Sequence, residues 1–182
     1  MDKVKVPITR VGITMRVDVC REGGEKRDSI DQRLLLWVQS MGGIPLLVPN
    51  NIKSDSEANQ WLKNLKIDAL VLSGGNDLGD APDRDSTELH LLEAAKELEI
   101  AVLGICRGMQ LMALFFGVGV EELSSHVGTR HQIYGDLETE VNSFHRFCIE
   151  ACPPGFSVLA SDEKGAIEAI KHNILPWEAW MW

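Results

Sequence analysis

Hydrophobic positions along the chain fall into short continuous runs separated by longer amphipathic stretches. Residues 8–19 are dense in β-branched side chains and predict a first strand. Across 28–41, Ile30, Leu34, Leu35, Trp37 and Val38 recur at helical spacing, and Gly42-Gly43 ends the pattern. Residues 44–48 predict a short buried strand. Residues 54–65 predict a second helix capped by Ser54 or Asp55, and 67–72 a third strand running into Gly74-Gly75. A capping box from Asp85 or Ser86 opens a third helix through Glu99. A fourth strand over 100–105 and a helix over 108–116 follow. Such alternation predicts βαβ units. Beyond Gly119, residues 137–149, 157–159 and 166–170 read as shorter strands joined by turns. The expected fold is α/β: a mostly parallel sheet flanked by helices, with a mixed or antiparallel section in the second half.

Composition narrows the field. The chain has 182 residues, 18 Lys or Arg against 27 Asp or Glu, a net charge of −9 and a pI near 5.0. That length fits a single domain over 1–182, large enough to fold without disulfides or a metal. Net acidity with no Lys/Arg block argues against a nucleic-acid partner. No apolar run reaches membrane-spanning length, so no membrane partner is expected. The first seven residues, Met1 to Pro7, lack the apolar core of a signal peptide, which points to the cytoplasm. Cys20, Cys106, Cys148 and Cys152 are then expected as thiols.

The chemistry concentrates at Gly104-Ile105-Cys106-Arg107-Gly108, where an apolar strand runs directly into a helix. Gly-x-Cys-x-Gly is the thiol form of a nucleophile elbow. Small residues on both sides let the backbone turn sharply and lift the thiol toward a substrate. A helix N-terminus and the Arg107 charge are expected to lower the pKa of Cys106 below its usual value of about 8.5. As a lone cysteine it would be a small buried hydrophobe. The strand, both glycines and the helix together favour the nucleophile. The Gly74-Gly75 pair ends the preceding strand. An N–H from that pair, together with the Arg107 N–H, would form an oxyanion hole.

These motifs resemble the class I glutamine amidotransferase superfamily, and within it the γ-glutamyl-γ-aminobutyrate hydrolase group. The resemblance rests on Gly104 to Gln110, Leu72 to Asp77, Arg84-Asp85-Ser86-Thr87-Glu88, Val141 to His145 and Gly165 to Ala169. It implies that Cys106 attacks a γ-glutamyl amide, or glutamine, and forms a thioester, with release of ammonia or an amine and then glutamate. It also implies that Gln110, one helical turn from Cys106, holds the glutamyl group. By the same resemblance Asn142, Ser143, Phe144 and His145 would form a substrate-binding segment, and Gly75 with Arg107 would supply the oxyanion N–H groups. His126 and His131, in a loop over the pocket, are either contacts for the leaving group or solvated. No cofactor is implied, and no Walker A or Gly-x-Gly-x-x-Gly occurs. His145-x-x-Cys148-x-x-x-Cys152 lacks a second paired set, and the acidic series from Asp77 to Asp85 lacks calcium-loop spacing, so no metal is expected.

One departure weighs against these matches. The family's late His-Pro-Glu, which carries the triad histidine and glutamate, is absent. Three of the five tryptophans crowd the last six residues, ending Trp180-Met181-Trp182 where that motif would begin. Truncation is favoured over a docked apolar tail. Either way, the chain is expected to lack the triad pair and to be inactive or crippled. The second reading is a regulatory subunit, or a non-catalytic one that binds a glutamine-like ligand. Last comes a redox or chaperone-like relative, because it explains neither Gln110 nor Asn142-Ser143. The apolar end suggests a homo-oligomer or a missing covering segment. An ammonia-delivering role would require a synthase partner. Arg107 after the cysteine leans instead toward a self-contained hydrolase. The loop histidines, Pro176 and the tryptophan-rich end are similar to a subgroup linked to nucleotide-activated or surface-polysaccharide chemistry.

Overall fold

The computed structural model describes residues 9–20 and 24–182. Residues 1–8 and 21–23 lie outside the described residues, and with them the reading of the N-terminal segment and the start of the expected first strand.

The β-branched run folds as two strands, β1 (Thr9–Thr14) and β2 (Arg16–Val19). β2 pairs antiparallel with β3 (Lys26–Ser29) in a separate hairpin. That hairpin takes residues the apolar spacing assigns to a helix, so α1 spans only Gln32–Ser40. The Asp31 carboxylate caps it by accepting the Arg33 N–H. Ile30 precedes the cap and packs with Leu35 against one core cluster, the position of a hydrophobic staple. It therefore continues the apolar pattern without being helical.

β4 (Gly43–Val48) is an edge strand rather than a buried one: Ile44 and Leu47 are exposed. α2 (Asp55–Leu65) starts at Ser54, whose hydroxyl accepts the Glu57 N–H. β5 (Ala69–Leu72) follows. α3 (Pro82–Glu97) begins earlier than expected, because Pro82 fits the first helical turn and Ala81 stands at the cap without a side-chain bond. Asp85 and Ser86 thus lie inside the helix, and the expected capping box does not form. β6 (Ala101–Ile105) and α4 (Arg107–Phe115) agree with the sequence reading.

The second half adds β7 (Val120–Glu122), a short 3₁₀ turn (Ser124–His126), β8 (Thr129–Gly135), β9 (Thr139–Ser143) and β10 (Phe147–Ile149). β11 (Phe156–Asp162), β12 (Ile167–His172) and β13 (Trp177–Trp180) complete it. β7 and β10 form a two-stranded ribbon. The main sheet has nine strands in the order β4-β1-β5-β6-β13-β12-β11-β8-β9. It is parallel from β4 to β13 and antiparallel from β13 to β9.

β13 is the joint between the two halves, parallel to β6 and antiparallel to β12. The apolar end is therefore docked into the sheet. Trp177 and Met181 are buried, and the Trp177 indole donates to the Ile100 carbonyl at 3.1 Å. Alternation splits the parallel half between two faces: Leu70 and Leu72 face the main core with Leu91, Leu92, Met109 and Leu111, while Val71 joins Val11, Ile13 and Val38. Among the described residues, no helix is long and apolar enough to cross a membrane.

Candidate active site

Cys106 alone makes the turn between β6 and α4, at φ 52° and ψ −106°. A side-chain-bearing residue in that region is strained, so the surroundings must hold it there. Its N–H donates to the Trp180 carbonyl at 2.7 Å, and its carbonyl accepts from the Met109 N–H at 2.9 Å. The flanking glycines are sterically required. A Cβ on Gly104 would stand 2.8 Å from the Gly108 carbonyl, and one on Gly108 would collide with the Leu72 carbonyl oxygen. Strand β5, strand β6 and helix α4 touch through bare backbone.

Burial pushes the Cys106 thiol above its ordinary pKa, the reverse of the sequence-based expectation. The Arg107 N–H and guanidinium act the other way without prevailing, and Asp77 and Glu168 add to the rise. The Arg107 side chain is itself buried and ion-pairs with Glu88 and Asp85. Its charge is spent on those carboxylates rather than on the sulfur.

Sequence reasoning gave Arg84 no role. It is fully buried on α3, ion-paired to Glu88 at 2.9 Å. Its guanidinium donates to the carbonyls of Ser73 at 2.5 Å, Gly74 at 3.3 Å and Gly75, and to Asn76 Oδ1 at 3.2 Å. One side chain thus holds the glycine turn after β5, and Glu88 ties it to Arg107 beside the thiol. The helix read from sequence opens only at Asp85 or Ser86 and so leaves Arg84 outside it; the i, i+4 pairing with Glu88 exists because the helix starts at Pro82.

Cys106, Gly75 and Phe144 line two adjoining cavities. One, of about 340 Å³, adds Arg107, Gln110, His145, Asp77, Asp80 and Arg146. The other, of about 440 Å³, adds Asn142, Ser73, Gly74, Arg16, Met181 and Trp182. Both fall in the size range of small-molecule sites. Gln110 donates to the Phe147 carbonyl at 2.9 Å. Ser143 is fully buried and lines neither cavity.

His126 and His131 line a third cavity with Asp162, Arg130 and Lys164, apart from the two at Cys106. Both belong to a cluster with His145, which faces the Cys106 cavity. His126 Nδ1 lies 3.1 Å from His145 Nε2 and 3.2 Å from Glu168 Oε1. His126 Nε2 lies 3.1 Å from Asp162 Oδ2. The His126 and His131 rings stack, with centroids 4.2 Å apart. Burial lowers the His126 pKa, against the pull of Glu168. Glu168 on β12 is fully buried and was missed: it was visible in sequence only within the Gly165 to Ala169 match.

The sequence profile of the class-I glutamine amidotransferase family matches residues 27–180. A γ-glutamyl-CDP-amidate hydrolase of Campylobacter jejuni is 36% identical over 114 residues, which are 59% of this chain and 56% of that protein. The chain thus spans a little over half the length of that hydrolase. A glutamine-hydrolysing GMP synthase subunit of Methanothrix thermoacetophila is 32% identical over 164 residues, 81% of this chain and 86% of that one. A solved Thermoplasma acidophilum structure, likewise assigned to a GMP synthase subunit, superposes with a TM-score of 0.74 at 21% identity, over 97% of this chain and 84% of its own. These relatives replace the finer placement beside γ-glutamyl-γ-aminobutyrate hydrolases.

The expectation of a chain without a histidine–glutamate pair, and so inactive or merely ligand-binding, is overturned. Within a class I amidotransferase domain, His126 and Glu168 are both buried and adjacent. They form no contiguous late motif because they come from the turn before β8 and from β12.

Proposed function

This chain belongs to the class I glutamine amidotransferase family, and from that premise we propose that it hydrolyses a γ-glutamyl amide with Cys106 as nucleophile. The carrying observation is the elbow: a strained thiol between sheet and helix, opening on a cavity shared with Gly75, Arg107, Gln110 and His145. Sγ attacks the amide carbonyl, the C–N bond breaks, and the amine leaves with a proton. Water then cleaves the thioester to release glutamate and restore the thiol. The Gly75 and Arg107 N–H groups stabilise the oxyanion, and Gln110 with the backbone of Phe144 holds the glutamyl group. Because burial keeps Cys106 protonated, the reaction needs a base. In this reading His145, facing the cavity and touching both His126 and Glu168, connects the thiol to that pair.

The leaving group is an amine rather than free ammonia. The name of the Campylobacter relative and the sequence-level link to nucleotide-activated chemistry point to an amine carried on a nucleotide. Similarity across 86% of the Methanothrix GMP synthase component favours a second reading, in which glutamine is hydrolysed and ammonia passes to a synthase partner. A glutamine-derived diazoketone, followed by intact-protein mass spectrometry, tests the nucleophile. One adduct is expected on the parent and none on Cys106→Ala; a folded parent that stays unlabelled overturns the proposal. Comparing ammonia release from glutamine with amine release from γ-glutamyl conjugates separates the two readings.

A further inference from the structure

We propose that His126, His131, His145 and Glu168 form a binding site for one divalent transition-metal ion of the zinc type. The spacing of the donor atoms carries this. His126 Nδ1 to His145 Nε2 is 3.1 Å, and His126 Nδ1 to Glu168 Oε1 is 3.2 Å. Glu168 Oε1 lies 3.5 Å from both His131 Nε2 and His145 Nε2. Ligands at about 2.0–2.1 Å around a tetrahedral zinc stand about 3.3–3.4 Å from one another. The ligand atoms of His126, His131 and Glu168 all lie within 4.8 Å of one another.

A second observation is independent of spacing. Glu168 is fully buried, yet among the described residues neither carboxylate oxygen has a hydrogen-bond partner. Neither ring nitrogen of His131 has one. His126 Nδ1 and His145 Nε2 stand at hydrogen-bond distance from each other, but the three Glu168 contacts at 3.2–3.5 Å lack hydrogen-bond geometry, as donors aimed at a common ion do, and a buried carboxylate without a hydrogen bond is otherwise costly.

The outer contacts agree. His126 Nε2 meets Asp162 Oδ2 at 3.1 Å, and His145 Nδ1 meets the Phe147 carbonyl at 3.1 Å. With the N–H on those outward nitrogens, His126 Nδ1 and His145 Nε2 turn lone pairs toward Glu168. Metal-ligating histidines are oriented in this way, by a carboxylate or a backbone carbonyl. Three imidazoles and one carboxylate suit zinc, cobalt or ferrous ion rather than a soft thiophilic one. An ion here would tie together the 3₁₀ turn, β8, the segment after β9 and β12. It would also occupy the lone pairs that a proton relay through His145 needs, so the metal-bound and relaying states exclude each other.

The inference does not depend on the hydrolase reading, and its test reads metal alone. Chelator-stripped full chain is titrated with zinc against a chromophoric chelator, and with cobalt by visible absorption. The parent and Cys106→Ala should each bind one ion, with a four-coordinate cobalt spectrum lacking thiolate charge transfer. Glu168→Gln and His131→Asn should lose at least a hundredfold in affinity while keeping their circular dichroism. His131, at the more open edge of the cluster, is the arm to rely on if the Glu168 variant does not fold. No stoichiometric binding by the parent, unchanged affinity in a folded ligand variant, or loss of binding in Cys106→Ala would each overturn the site.

Discussion

Two buried charge clusters flank Cys106, and they are built on opposite terms. On the parallel side, Arg84, Arg107, Asp85 and Glu88 form a nearly closed set, with Arg84 spread over the carbonyls of the Ser73–Gly75 turn. Only Arg107 Nε lacks a partner among the described residues. On the antiparallel side, His126, His131, His145 and Glu168 crowd together, yet both Glu168 oxygens and both His131 nitrogens go unpaired among the described residues. The first cluster fixes geometry: it holds the glycine turn and the elbow in register. The second has unused coordinating capacity, and capacity of that kind belongs to a site that accepts something.

The comparison breaks most sharply at Arg84. Arg84→Met leaves Glu88 Oε1 and three carbonyls without their Arg84 donor in a buried interior, with Arg107 as the remaining partner of Glu88. It should cost about 3–5 kcal/mol in urea unfolding. A loss below about 1 kcal/mol would mean that the closed cluster does not hold the fold.

Next comes pH. With burial holding the Cys106 pKa above its ordinary value, the thiolate is scarce at neutrality. Its alkylation rate should rise about tenfold per pH unit and keep climbing past pH 9. A plateau below pH 8 would show that the helix end outweighs burial. Cys148, pushed up to about 11 and buried, should lag behind it under native conditions.

Gly108→Ala, which drives a methyl into the Leu72 carbonyl, should cost about 1–3 kcal/mol and slow labelling of Cys106. The smallest effect sharpens the contrast. In metal-free protein at pH 8, Glu168→Gln should change stability by less than about 1 kcal/mol or raise it, since it removes a buried charge that no donor satisfies. A loss comparable to that of Arg84→Met would place the two clusters in one class.

Legibility in the sequence followed the range of the interactions. The elbow could be read because strand, glycines, cysteine and helix lie within a few residues and their steric demands are local. The parallel βαβ half could be read for the same reason. The β2–β3 hairpin could not, because Ile30 extends the helical spacing from outside the helix. The direction of the Cys106 shift was misjudged because a helix end can be seen in sequence and desolvation cannot. The histidine cluster escaped notice because its members come from the 3₁₀ turn, β8, the segment after β9 and β12, and only sheet register brings them together.

The position of β13 also constrains assembly during synthesis. The ribosome delivers β1 through β12 first, yet the strand that joins the two halves of the sheet comes after all of them. Until it emerges, β6 and β12 each present an unpaired edge, and Cys106 lacks the Trp180 carbonyl that holds its amide. A nascent chain paused short of Trp177 would carry two open templates for wrong pairing, which makes it a natural client for a chaperone and a seed for aggregation.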